Sequence, residues 1–183
     1  MRTFLIILLV LVLILKNFYR DPDLTLPSQE IDDAVILSPA QGTIHKIYKK
    51  NGHLNIWIYL NIFNIHTQYV PISGTVTRTN HLSGTFHPAY MFVKSQYNER
   101  LATTIQTRNF DDVIVTQVAG QIARNIINYT ERGQEVHQGK RLGRILLGSS
   151  VIVSIPERVT SGVNILIKEG DKIEINDCLV KSK

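Results

Sequence analysis

From about residue 34 onward the chain consists of short β-leaning runs, and no stretch there carries the 3.6-residue apolar period of an amphipathic helix. The runs cover 34–37, 43–48, 54–65, 74–78, 101–106 and 112–118, then 121–129, 142–147, 150–155 and 163–167. Val, Ile, Thr and Tyr dominate them, side chains that fit a pleated, half-buried surface. Gly, Pro, Asn or Asp usually separates one run from the next. Short helices are expected only within 17–21 and 89–99. The pattern predicts a mainly β fold, a compact barrel/sandwich-hybrid-like domain with an N-terminal hydrophobic helix. A weak internal repeat agrees with this. Glu131-Arg132-Gly133-Gln134-Glu135-Val136 and Lys168-Glu169-Gly170-Asp171-Lys172-Ile173 share a charged pair, a turn glycine and a β-branched residue three positions on. A carrier domain of this build would present a lysine at a hairpin tip, and nothing distinguishes such a lysine, so the repeat reads as architecture.

The N-terminus has a different texture. Residues 4–15 are twelve consecutive apolar positions flanked by Arg2 and Lys16. As a helix they span roughly 18 Å, short of a hydrocarbon core of about 30 Å. No small-x-small cleavage site follows, as a signal peptide would require, and the run is apolar all round rather than on one face. The reading that fits is a membrane-anchoring segment over 1–16, lying in the interface or spanning a thinned bilayer with its basic flanks snorkelling. Asp21-Pro22-Asp23 and Leu26-Pro27-Ser28 then punctuate a linker into the domain of residues 17–183.

Hydrophobic residues make up 44% and charged residues 19%, a balance that excludes a disordered chain. The net charge of +5 favours an anionic partner such as a lipid surface. No basic stretch is interleaved with aromatics, so nucleic acid is not expected as a partner. Cys178 is the one cysteine, which excludes an intrachain disulfide and a cysteine-based zinc site, and the six histidines lack paired ligand spacing. No metal is expected.

Two apolar runs flank Gly148-Ser149-Ser150. Such a triplet is ordinarily a turn, but a serine held in a strained turn can also attack the preceding carbonyl, and Gly148 has no side chain to obstruct it. Upstream stand Phe18-Tyr19-Arg20-Asp21-Pro22, Ser38-Pro39-Ala40-Gln41-Gly42, Asn61-Ile62-Phe63-Asn64-Ile65-His66, Pro71-Ile72-Ser73-Gly74 and His87-Pro88 leading to Asn98-Glu99-Arg100. With Leu147-Gly148-Ser149 these stretches, in order and spacing over roughly nine-tenths of the chain, resemble the compact class of phosphatidylserine decarboxylase proenzymes.

The resemblance implies a mechanism. Ser149 attacks the Gly148 carbonyl, the chain is cut into 1–148 and 149–183, and Ser149 becomes a pyruvoyl group. That self-derived cofactor forms a Schiff base with the amine of phosphatidylserine and acts as electron sink while carbon dioxide leaves, giving phosphatidylethanolamine. The two chains remain associated at a membrane. His66 matches the family histidine after the Asn-Ile-Phe-Asn segment and is the acid/base candidate, since an ordinary imidazole titrates near neutrality. His87 matches a His-Pro step and is a candidate for substrate binding, with a turn role as the plainer reading. The Asn98-Glu99-Arg100 trio also fits an exposed ion pair.

Three positions depart from the family pattern. Gln41 replaces an aspartate that partners a histidine in self-cleavage, and glutamine can orient a group but cannot accept a proton as a carboxylate does. Tyr69 stands where larger members carry that histidine, and Ser150 replaces the usual Thr or Arg. These departures leave an alternative: a membrane-tethered, non-catalytic relative that binds lipid or protein without cutting itself.

Overall fold

A computed structural model describes residues 2–18, 20–24, 26, 30–121, 125–145 and 149–183. Helix α1 (Arg2–Phe18) is followed by β1 (Val35–Leu37), β2 (Gly42–Lys50), β3 (His53–Leu60), β4 (Thr67–Tyr69) and β5 (Gly74–Leu82). Next come α2 (Phe92–Ser95), β6 (Arg100–Gln106), β7 (Asp112–Val118), β8 (Ile126–Asn128), β9 (Glu135–Val136) and β10 (Arg141–Ile145). The chain ends with β11 (Ser149–Pro156), α3 (Glu157–Thr160), β12 (Val163–Ile165), β13 (Lys172–Ile173) and β14 (Cys178–Ser182).

Eight strands form a curled half-barrel in the order β13-β2-β3-β11-β7-β6-β5-β9, with all neighbours antiparallel. Two three-stranded sheets, β4-β10-β8 and β1-β14-β12, accompany it. Alternation along the strands puts Ile56, Ile58, Val113, Val115, Val151 and Val153 on one face, where they join the main core. Trp57, Val118 and Ile152 lie on the other face in a smaller cluster with Tyr48 and Phe92. Asn51 and Gly52, both at positive φ (54° and 72°), make the two-residue turn between β2 and β3.

The internal repeat is structural. Gly133 and Gly170 both take positive φ (87° and 93°), as do Gly139 and Asn176 thirty-seven residues apart (78° and 70°). The strands that follow the first pair, β9 and β13, close opposite ends of the large sheet. Val136 pairs with Gly74 and Ile173 with Gly42. A Cβ at Gly42 would collide with the Tyr59 carbonyl and one at Gly74 with that of Gln106, so each end needs a glycine. The two Pro-x-x-Gly stretches thus mark two equivalent sheet ends.

The expected strands differ from the observed ones mainly at their limits. The run 54–65 ends as a strand at Leu60, because Asn61 and Asn64 cap a turn: Asn61 Oδ1 accepts from Phe63 N (2.8 Å) and Asn64 Oδ1 from Asn61 N (2.9 Å). Of the run 121–129 only 126–128 is strand among the described residues, and residues 146–147 of the run 142–147 lie outside them. The helix expected within 17–21 is the end of α1, which runs on to Phe18, and that within 89–99 narrows to α2. No described helix is long and apolar enough to cross a membrane.

Candidate active site

Ser149 opens β11, and its backbone lies opposite Leu60 of β3 in regular antiparallel register. The serine is therefore in extended strand rather than in the strained turn expected from the sequence; Gly148 lies outside the described residues. The Ser149 side chain is 0% exposed, and its hydroxyl finds no hydrogen-bond partner among the described residues. A buried hydroxyl in that state costs on the order of 1–3 kcal/mol and is available for chemistry. The Ser150 hydroxyl, on the other face of the strand, is buried and unpartnered in the same way.

His66 stands at the end of the turn that leaves Leu60, the residue paired with Ser149. Its carbonyl accepts from Ile145 N (3.0 Å), the last residue of β10 and four positions before Ser149. Topology thus brings His66 and Ser149 to the same end of the sheet from both directions. His66 is 1% exposed and its Nδ1 lies 2.8 Å from the Asn64 carbonyl. A carbonyl only accepts, so Nδ1 carries the proton and Nε2 keeps its lone pair. Burial, the largest cause, lowers the His66 pKa to about 4; the Asn64 bond opposes this, while the Arg20 and Arg144 charges add to it. The expectation of an imidazole titrating near neutrality is corrected: His66 is neutral at pH 7 and a weak base.

Gln41 holds this loop. Its Oε1 accepts from Ile65 N (2.9 Å) and from Arg20 Nη2 (3.4 Å), and its Nε2 donates to Glu174 Oε2 (2.7 Å). Arg20 also donates to the Phe63 carbonyl (2.7 Å). The departure from aspartate therefore exchanges a charge for a clamp on the residue before His66, with a carboxylate, Glu174, on its outer side. Tyr69 is buried, and its hydroxyl donates to Pro22 O (2.7 Å). Its pKa is raised by burial and then by Asp21, so it serves as a strut rather than a second base.

The segment read as a linker is docked at its start. Asp21 accepts from Thr67 Oγ1 (2.9 Å) and pairs with Arg141 (3.3 Å) and Arg144 (3.2 Å), while Leu24 O accepts from Asn176 Nδ2 (2.9 Å). These bonds fix residues 20–24 across β4 and β10, beside the His66 loop.

Sequence reasoning also missed two buried glutamines. Gln68 Nε2 donates to His66 O (2.7 Å), which leaves Gln68 Oε1 to accept from Gln117 Nε2 (2.8 Å). Gln117 Oε1 then has no partner among the described residues, on the face of β7 that Ser149 shares on β11. Gly143 is required above this pair, because a Cβ there would collide with Ile127 O and crowd Gln117 Nε2 (2.8 Å). Polar residues in otherwise β-branched runs were the available signal.

His87 lies on the loop between β5 and α2, which Asn98 fastens to Ala119, just beyond the end of β7. Asn98 Oδ1 accepts from His87 N (2.8 Å) and Asn98 Nδ2 donates to His87 O and Ala119 O (both 2.8 Å). The alternative reading of Asn98-Glu99-Arg100 as an exposed ion pair is not what these residues form, since Glu99 and Arg100 do not pair with each other. Asn98 is 1% exposed and Arg100 donates to backbone carbonyls; only Glu99 faces a basic partner, His81 (3.1 Å). No group of metal-ligating residues occurs among the described residues.

Comparison with known proteins adds to this geometry. A family profile described as phosphatidylserine decarboxylase matches residues 14–181. A phosphatidylserine decarboxylase proenzyme of Parabacteroides distasonis is 36% identical over 174 residues, 91% of this chain and 76% of its own length. The protein of that name from Streptomyces griseus subsp. griseus is 36% identical over 81% of this chain and 66% of its own length. One from Burkholderia pseudomallei is 33% identical over 93% and 79%.

Proposed function

The chain belongs to the phosphatidylserine decarboxylase family, and we propose that it cuts itself at Gly148–Ser149, makes a pyruvoyl group from Ser149, and decarboxylates phosphatidylserine to phosphatidylethanolamine. The observation that carries the site assignment is the Ser149 hydroxyl, buried and without a partner among the described residues at the start of a central strand whose neighbour leads directly to His66.

Ser149 Oγ attacks the Gly148 carbonyl carbon while His66 Nε2 takes the hydroxyl proton and returns it to the departing amide nitrogen, so the amide becomes an ester. Loss of the Ser149 Hα and departure of Gly148 as a carboxylate leave dehydroalanine at the new N-terminus. Water then displaces its nitrogen as ammonia. A serine already buried and with no competing bond among the described residues fits this conversion. Once formed, the pyruvoyl ketone supplies the electron sink that decarboxylation of an amino acid requires. Residue 149 stays at the end of β11, where its pairing with Leu60 of β3 and that of Ser150 with Val118 of β7 hold it in position. His66 Nε2 is the group assigned to hold or move a proton there. His87, on the loop fastened by Asn98, is assigned to substrate binding.

The two chains, 1–148 and 149–183, would remain associated for a topological reason. β11 lies between β3 and β7, β13 pairs with β2, and β14 with β1, so the C-terminal piece cannot leave without opening all four seams. The membrane assignment rests on α1 and charge. Phe4, Ile6, Ile7 and Leu9 are exposed on a helix about 26 Å long, and the net charge is +5, which suits an anchor over 1–16 lying in an anionic lipid interface. Residues 17–183 would form the decarboxylase domain. Purified protein should release carbon dioxide from phosphatidylserine in mixed vesicles; release by wild type and none by Ser149→Ala is the expected result. No release from folded, cut wild type would refute the substrate assignment.

A further inference from the structure

On the face of the large sheet turned away from the main core lies a cavity of about 330 Å³, floored in part by Trp57, Ile152 and Ser154. Its lining contains Arg100 and Lys50 and no Asp or Glu. Arg100 is partly buried. Its Nε donates to Asn98 O (2.9 Å), its Nη2 to Ser95 O (3.4 Å) and Gln96 O, and its Nη1 to no described group. No described carboxylate pairs with it. Burial lowers its pKa, as expected of a cation taken from water without a counter-charge. Lys50 Nζ reaches only the neutral Gln96 Oε1 (3.0 Å). Below them the Trp57 indole N–H is buried and lacks an acceptor among the described residues.

Four cations elsewhere meet a carboxylate: Lys46 with Glu169, Arg158 with Asp111, and Arg141 and Arg144 with Asp21. A concave site with two cations, an unpartnered donor and no acid selects for an anion, and a guanidinium favours an oxyanion. We propose that this cavity binds a phosphate-bearing anion at a site separate from Ser149. The Ser149 side chain lies on the opposite face of β11, and the floor residues Ile152 and Ser154 are three and five residues along the same strand, about 10 and 17 Å away. A phosphoserine headgroup engaged at residue 149 is too short to fill the cavity as well. The proposal rests on the charge of the cavity and on no step of the decarboxylase reading.

Trp57 is the one tryptophan of the chain, so its fluorescence reports on this site alone. Full-length protein is titrated at constant ionic strength with sodium phosphate, and separately with vesicles of phosphatidylcholine with and without phosphatidylglycerol. A saturable change with phosphate identifies a soluble ligand, and one confined to the phosphatidylglycerol vesicles identifies a lipid phosphodiester. In either case Leu82→Glu, at the exposed rim, and Lys50→Gln should weaken binding roughly ten-fold or more while leaving self-cleavage at the wild-type rate. No saturable response to any probe, or wild-type affinity in Leu82→Glu, would overturn the proposal.

Discussion

The imidazole of His66 is held through Nδ1 and pushed by burial to a pKa of about 4, which sets two expectations. As a base it is already deprotonated throughout the neutral range, so its limb of the cleavage pH profile should stay flat above pH 5.5 and fall only toward pH 4. His66→Ala should slow fragment appearance and abolish decarboxylation; normal rates for both would remove His66 from the mechanism. The same shift affects stability. Its folded pKa lies below the ordinary value of 6.5, so the contribution is complete above pH 6.5 and is lost as pH falls toward 4. At about 1.4 kcal/mol per unit this is on the order of 3 kcal/mol. Urea unfolding of the Ser149→Ala precursor at pH 7 and 4.5 should show most of that loss, and His66→Gln in the same background should show far less. Gln41 is predicted to matter through geometry. Gln41→Ala leaves Ile65 N without its acceptor, removes one of those of Arg20, and should slow cleavage several-fold. Gln41→Asp should not help by itself, because the new carboxylate would face Glu174, the present partner of Gln41 Nε2; Glu174→Gln should relieve it. Faster cleavage in the single Asp variant would contradict this reading.

Among the elements, α1 and β11 are assigned separate tasks under the proposed function. Removing residues 1–16 should release the protein from anionic vesicles and leave cleavage intact, since Ser149 lies in the β domain; sedimentation in high salt separates insertion from charge attraction. Persistent pelleting of the truncated protein in high salt would mean that another surface is the anchor. The core strands were legible in the sequence because burial on one or both faces demands runs such as Val151–Ile155 and Val113–Val118. The short strands β4, β9, β13 and β14 were not, because two to five residues give no period and their pairing depends on distant partners. The motifs drew attention to His66 and Ser149, yet they could not reveal the Gln41 clamp, the Gln68–Gln117 chain or the docking of Asp21. Those contacts join residues separated by 24, 49 and 46 positions, and each looks locally like an ordinary polar side chain.

For the whole molecule, the weak 37-residue repeat becomes two equivalent closures of a half-barrel, with the reactive strand near its middle. Cutting before Ser149 would therefore release no domain, and the pieces should co-purify under native conditions and separate only in denaturant. The central claim is that this chain, unaided, cuts before Ser149 and converts that serine. Intact-mass measurement of purified protein under denaturing conditions tests it most directly. Wild type should give two chains, residues 1–148 and a fragment from 149 to 183 whose mass shows a pyruvoyl group in place of serine, while Ser149→Ala should give one uncut chain. A single chain from folded wild type, or the same two pieces from Ser149→Ala, would contradict the account.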